Sequence, residues 1–293
     1  MNKIEKSELI INPDGSIYHL KIKPEHVADT VIIVGDPKRV EQISGHFDDI
    51  ELKIQNREFV THTGTYNNRR LTVLATGIGT DNIDIVVNEL DALVNIDFKT
   101  RKKKEENKVL NIIRLGTSGA IQADIPVNSF VIAEYGLGFD GLIHFYRLGT
   151  EIQDHGITEA FINHTQWGAD LARPYIVKGS TKLLKKLGKG MITGITATSP
   201  GFYGPQGRVL RLELNYPQIN KLVETFSYNG YRITNFEMET SALYGLGKML
   251  GHNTITICAI IANRITGEFN ENYKEIMNNF IIDLIKRITE EEL

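Results

Sequence analysis

The stretch FYGPQGR sets an amide, Gln206, and a guanidinium, Arg208, two positions apart in a loop of glycine, proline and aromatics. Residues i and i+2 of an extended segment point the same way, so the pair would converge on one edge of a flat ligand, with Gly207 leaving room between them. Gly204, Pro205 and Gly207 would equally build an ordinary surface turn. Four other stretches carry comparable chemistry. In GDPKRV, Asp36 can cap a helix whose first turn holds Pro37, and Gly35 allows a close backbone approach. Free N–H groups there would suit an anion, although a plain strand-to-helix turn uses the same residues. NIIRLGTSGAIQ puts Arg114 inside an apolar strand, ahead of a turn at Gly116–Gly119. A buried guanidinium requires an acidic partner or an anionic ligand, and Thr117, Ser118 and the glycines would supply neutral donors beside it. In NFEMET, Glu237 and Glu239 flank Met238, which fits either a helix-capping device or a carboxylate grip on a sugar diol. IIANRITGE carries an apolar strand into Asn263 and Arg264.

All five stretches fall where apolar runs end. Runs at 31–35, 71–77, 111–116, 130–136, 191–199, 233–238 and 254–264 read as strands, several too uniformly apolar to be half exposed. Between them, 81–96, 216–230, 239–251 and 273–288 carry apolar residues at helical spacing. The alternation predicts one α/β domain over residues 1–293, helices packed on a central, largely parallel or mixed sheet, with 1–17 as an N-terminal extension. The run KTRKKKEENK, 99–108, is mixed in sign and reads as a solvated insertion rather than a nucleic-acid patch.

Composition narrows the function classes. The 293 residues are 41% apolar, enough for a substantial core, and the net charge of −3 provides no basic field for a nucleic acid backbone. One cysteine, Cys258, excludes an intramolecular disulfide framework and fits a reducing compartment. The first fifteen residues lack an apolar core of signal-peptide length and no run approaches a membrane span, so a soluble cytoplasmic protein is expected.

Taken in order, GDPKR, REF, TGIG, RLGTSGAIQ, FYGPQGR, FEMET and ANR resemble the nucleoside phosphorylase family, and within it the uridine phosphorylases, over about Tyr18 to Arg264. The resemblance implies a three-layer phosphorylase/hydrolase-like α/β fold and cleavage of a nucleoside by inorganic phosphate, a co-substrate, in an oligomer that shares sites between subunits. It implies phosphate on Gly35, Arg39, Arg114 and Thr117, with Arg57 of REF lent by a neighbouring subunit. The ribose would lie over Met238, with Glu239 on its hydroxyls and His19 reaching across from the neighbour. The base would sit among Ser118, Phe202, Gln206, Arg208, Glu237 and Asn263. A uracil edge, a ring N–H between two carbonyls, matches what Gln206 and Arg208 can accept and donate. Arg208 and Arg264 would stabilise the departing base as an anion, and with Glu239 form the catalytic set.

No organic cofactor and no metal are implied by these motifs, although the resemblance leaves room for a monovalent or divalent cation between subunits near Glu58, Ile78 and Asn82, where Asn82 replaces a usual serine. A purine phosphorylase or a nucleosidase using water is the alternative within the enzymes. Purine-specific relatives carry an aspartate at the place of Asn263, and the hydrolases lack the phosphate arginines. A catalytically silent nucleoside sensor is the alternative outside them, and it would need no phosphate cage. The insertion at 99–108 and the segment 163–186 depart from the bacterial hexameric pattern and could favour a dimer.

Overall fold

The structure is a computed structural model describing residues 3–290. Thirteen strands run in chain order: β1 (Thr30–Val34), β2 (Asp49–Asn56), β3 (Phe59–Tyr66), β4 (Arg69–Ala75), β5 (Ile96–Asp97), β6 (Lys102–Lys103), β7 (Asn111–Ala120), β8 (Phe130–Gly138), β9 (Tyr175–Lys178), β10 (Ile192–Thr198), β11 (Ser227–Tyr228), β12 (Tyr231–Glu237) and β13 (Asn253–Asn263). Seven helices accompany them: α1 (Pro37–Ser44), α2 (Thr80–Asn95), α3 (His155–Thr165), α4 (Thr181–Leu187), α5 (Ile219–Thr225), α6 (Thr240–Leu250) and α7 (Tyr273–Thr289). All the expected strands and helices are present, the helix expected at 216–230 contracting to the seven residues of α5.

The main sheet runs β11-β12-β10-β8-β13-β7-β1-β4-β3-β2, with β9 added on β8. Its centre is two parallel blocks joined antiparallel at β8–β13: β1 pairs β4 and β7 and β7 pairs β13 in one, and β10 pairs both β8 and β12 in the other. The flanks are antiparallel. β12 also pairs antiparallel with β7, so β12, β10, β8, β13 and β7 close into a ring. That closure explains one difference from the sequence reading. Gly116–Gly119, expected as a turn, continues β7, because β13 holds it on one side and β12 pairs Gly119 and Ala120 on the other.

The parallel strands are buried end to end, as their uniform apolar character requires; all five residues of β1 are buried. α6 lies against the ring with Thr240–Gly247 wholly buried. Gly136 permits that approach, since a Cβ there would sit 3.1 Å from the Ser241 backbone. No helix of the described residues is long and apolar enough to cross a membrane.

The N-terminal segment is part of the core: Leu9 and Ile17 are buried in the main apolar cluster. The charged run 99–108 is solvated apart from Arg101, which is buried. Arg101 donates to the carbonyls of Ile4, Glu5 and Leu9 and so fastens the N-terminal segment to the β5–β6 turn. Removing the guanidinium takes the donor from the buried Leu9 carbonyl and from Ile4 O, while Glu5 O keeps the N–H groups of Glu8 and Leu9. Arg101→Ala is therefore expected to lower unfolding stability by about 3 kcal/mol, measured by urea denaturation. A loss of under about 0.5 kcal/mol would show that the segment is not held this way.

Candidate active site

β1, β4, β7 and β13 present their C-terminal ends to one rim, where ligands of α/β sheets gather, and β12, running the other way, brings its own end against β7 at Gly119. Gly35 follows β1 directly, and Asp36 caps α1 by accepting from Lys38 N at 3.0 Å. α1 then carries Arg39 inward, 7% exposed, where its Nη1 donates to Leu115 O at 3.2 Å. Burial pushes the Arg39 guanidinium down, with Arg114 adding to the effect and Asp36 opposing it. No carboxylate forms an ion pair with Arg39 among the described residues, so this buried cation rests on a backbone carbonyl and suits an anionic ligand.

Arg114, in contrast, has the acidic partners that its burial demands. Its Nη1 lies 3.0 Å from Glu237 Oε2, and its Nη2 pairs with Glu239 Oε2. Burial lowers its proton affinity, and Glu239 and then Glu237 outweigh that, so the guanidinium is raised overall. Glu237 does cap α6, accepting from Glu239 N at 2.9 Å and from Thr240 N. Glu239 turns the other way and accepts from Gly79 N at 2.7 Å. Gly79 has φ +102°, a conformation that lets the TGIG turn aim this N–H at the carboxylate. Burial pushes the Glu239 carboxyl up against the pull of Arg114. Met238 lies half-buried between the two glutamates, and Thr117 half-buried just beyond Arg114 on β7.

The second cluster surrounds FYGPQGR. Gly204–Gln206 form a short 3-10 turn, not an extended segment, and Gly207 at φ +67° reverses the chain. Gln206 and Arg208 converge through that reversal: Arg208 Nη1 donates to Gln206 Oε1 at 2.6 Å and to Phe202 O at 2.5 Å. The guanidinium lies 3.7 Å from the Phe202 ring centre, and that ring is 51% exposed. Gln206 is buried. Arg264 stands alongside, over the ring of Phe236, with Nη1 buried and lacking any hydrogen-bond partner. Burial, and then the neighbouring charge of Arg208, push the Arg264 guanidinium down to about 10. Two adjacent cations without a carboxylate between them favour an acceptor-rich or anionic ligand edge. Arg208, Tyr203 and Pro205 also line a cavity of about 980 Å³ together with Trp167 and Leu171.

Other expected residues are engaged within the chain. Ser118 Oγ accepts from Asn235 Nδ2 at 2.9 Å. Asn263 donates both amide hydrogens to Gln122 O and Ile125 O and accepts from Ile265 N and Thr266 N, which leaves it no free polar atom. His19 pairs with Glu89 at 2.6 Å. Arg57 is exposed at the tip of the β2–β3 turn, φ +53°, within 5.6 Å of the Tyr18 ring. That turn lies on the same rim as the ends of β1 and β4, because β3 runs antiparallel to β4 with Thr61 opposite Leu74. Ile78, beside it, is 68% exposed. Glu58 borders Gly77, and Asn82 Nδ2 donates to Ile78 O at 3.5 Å. No cluster of three metal-ligating side chains occurs among the described residues.

Two contributors were not singled out from the sequence. Thr198 and Ser199, at the end of β10, bond to Glu237 and to Pro205 O respectively. Their signal was position alone, the polar end of an apolar strand on the ligand rim.

Comparison with known proteins finds nucleoside phosphorylases. A uridine phosphorylase of Thermococcus kodakarensis is 31% identical over 279 residues, covering 92% of this chain and 86% of its own. A DeoD-type purine nucleoside phosphorylase of Listeria welshimeri is 29% identical, covering 85% and 88%. Among solved structures, a Trypanosoma brucei nucleoside phosphorylase described as showing uridine phosphorylase activity superposes with a TM-score of 0.86 at 29% identity, covering 95% of this chain and 98% of its own. Residues 29–290, which include every site stretch but His19, match the Phosphorylase superfamily, and the chain belongs to that family.

Proposed function

We propose that this protein is a uridine phosphorylase, cleaving uridine with inorganic phosphate to uracil and α-D-ribose 1-phosphate in pyrimidine salvage. The observation that carries the reading is the base-side cluster: Gln206 and Arg208 on one tight turn, with Arg264 unpaired beside them. Gln206 can both accept and donate, and Arg208 only donates, which complements the uracil edge. A cytosine would turn its amino donor toward a guanidinium and leave donors unpaired, a mismatch that discriminates strongly. The purine reading is favoured less, because the position of Asn263 holds an amide spent on the backbone rather than a free carboxylate.

Phosphate is assigned to Gly35, Arg39, Arg114 and Thr117, with Arg57 from a second copy in a homodimer, since exposed Arg57 lies on the same rim as those residues. Glu239 and Met238 are assigned to the ribose. The glycosidic bond breaks with positive charge growing on the ribose and negative charge on the leaving uracil. Arg208 and Arg264 stabilise that anion, and phosphate, held by the arginines, supports the cation and bonds to the anomeric carbon. Phosphate needs no general base, so positioning and fixed charges supply the rate.

The test is to incubate the protein with uridine, cytidine, thymidine or inosine, with and without phosphate, and identify products. Uracil and ribose 1-phosphate, formed only when phosphate is present, are expected from uridine. Ribose without phosphate dependence would indicate a nucleosidase, inosine cleavage in preference to uridine a purine enzyme, and binding without turnover a sensor.

A further inference from the structure

We propose that Thr198 is a positioning residue for the phosphate-binding arginine, acting on Arg114 through Glu237. The inference rests on the assignment of Arg114 to phosphate made above. Thr198 ends β10 and is fully buried. Its hydroxyl has one proton and its surroundings fix where that proton goes. Glu237, paired with Arg114, can only accept, so Thr198 Oγ1 donates to Glu237 Oε1, at 2.6 Å. The hydroxyl oxygen in turn accepts from Ser241 N at 2.9 Å, in the first turn of α6. No rotation of the hydroxyl satisfies both neighbours otherwise.

Glu237 thereby has its Oε1 anchored on β10 and its Oε2 turned to Arg114 Nη1, 3.0 Å away. At the start of α6, Glu239 N donates to Oε2 and Thr240 N to both oxygens, and Thr198 holds Oε1 from the neighbouring strand β10 with the one short hydroxyl bond. Without the hydroxyl the carboxylate can pivot about the helix end, and the guanidinium it steers pivots with it. Ser241 is braced independently, since its Oγ donates to Asp140 Oδ2 at 2.8 Å and Tyr175 OH donates to the same carboxylate. The Ser241 side chain thus keeps its place when Thr198 changes, although Ser241 N loses its acceptor, and it is the loss at Glu237 and Arg114 that reaches phosphate.

The experiment titrates inorganic phosphate calorimetrically into the intact wild-type protein, Thr198→Ser and Thr198→Val, and measures KM for phosphate and for uridine. Serine keeps the hydroxyl and is expected to bind phosphate within about twofold of wild type; valine, of equal size, is expected to bind about tenfold more weakly. The KM for phosphate should rise by the same factor in the valine variant while the KM for uridine barely moves, a split that loosened packing would not produce. Unchanged phosphate affinity in folded Thr198→Val, or an equal loss in Thr198→Ser, overturns the proposal. If the valine variant does not fold, Thr198→Cys, a much weaker donor of similar size, is read in its place with the same criteria. Wild-type protein that binds phosphate but does not cleave uridine would sink the uridine reading and leave this one standing, whereas wild-type protein that binds no phosphate would sink both.

Discussion

Arg208→Ala is expected to lower kcat/KM for uridine by about a hundredfold while leaving phosphate affinity within about twofold of wild type. On the proposed assignment the guanidinium would meet the leaving base, where negative charge appears only as the bond breaks, so its loss would fall on the transition state more than on the bound substrate. A charge-assisted hydrogen bond of this kind is worth about 1.5–3 kcal/mol. Further loss comes from its neighbours, because Arg208 also orients the Gln206 amide at 2.6 Å and stacks on Phe202 at 3.7 Å. Phosphate binding should survive, since Arg39 and Arg114 are anchored on Leu115 O and on the two glutamates, not on the base loop. Steady-state kinetics with each substrate varied in turn separates the two. Uridine turnover unchanged within about twofold would mean that Arg208 does not touch the base.

The sheet was readable because its central strands are buried on both faces, and burial on both faces writes itself as unbroken apolar runs such as VIIV in β1. Strands without that burden were missed. β2, DIELKIQN, alternates exposed and half-buried residues, and β3, FVTHTGTY, buries polar side chains, His62 bonded to Ser44 and Thr63 to Thr72 and His26 O. β9 has only four residues and α4 only seven, and α3, HGITEAFINHT, carries glycine, threonines and histidines that weaken a helical signal. The turn expected at Gly116–Gly119 failed for a longer-range reason. Glycine marks a turn only when nothing pairs with it, and here the ring closure from β12 supplies a partner that sits more than a hundred residues away.

In the candidate site, residue types were readable and their partners were not. The need of Arg114 for compensation follows from its apolar strand alone, and the structure meets it with both glutamates of FEMET. Those glutamates were read as a cap or a sugar grip, and Glu237 is engaged as the cap and as the arginine's partner at once. Gln206 and Arg208 do converge, yet by a 3-10 turn and a left-handed glycine instead of an extended segment. Asn263 showed a polar residue at a strand end, and only coordinates reveal that four backbone groups already use it.

Mixing chains that carry Arg57→Ala with chains that carry Arg114→Ala is expected to restore about a quarter of wild-type activity, although each variant alone is inactive. Arg57 is the motive for the experiment. It is exposed at the tip of the β2–β3 turn, its only hydrogen-bond or ring partner for the guanidinium among the described residues is Tyr18, and Ile78 is exposed at the end of the neighbouring β4. An arginine so placed is available to the site of a second copy, and a two-fold pair lends in both directions. Each complete site would then combine Arg114 of one chain with Arg57 of the other. In a mixed dimer the Arg57→Ala chain keeps its own Arg114 and receives an intact Arg57, while the second site lacks both arginines. Random pairing makes about half the dimers mixed, and half the sites in those are whole, which gives about a quarter. Were both arginines used within one chain, every site in the mixed dimer would carry one lesion. Failure to recover activity in a preparation shown by mass spectrometry to contain mixed dimers would therefore rule out sharing.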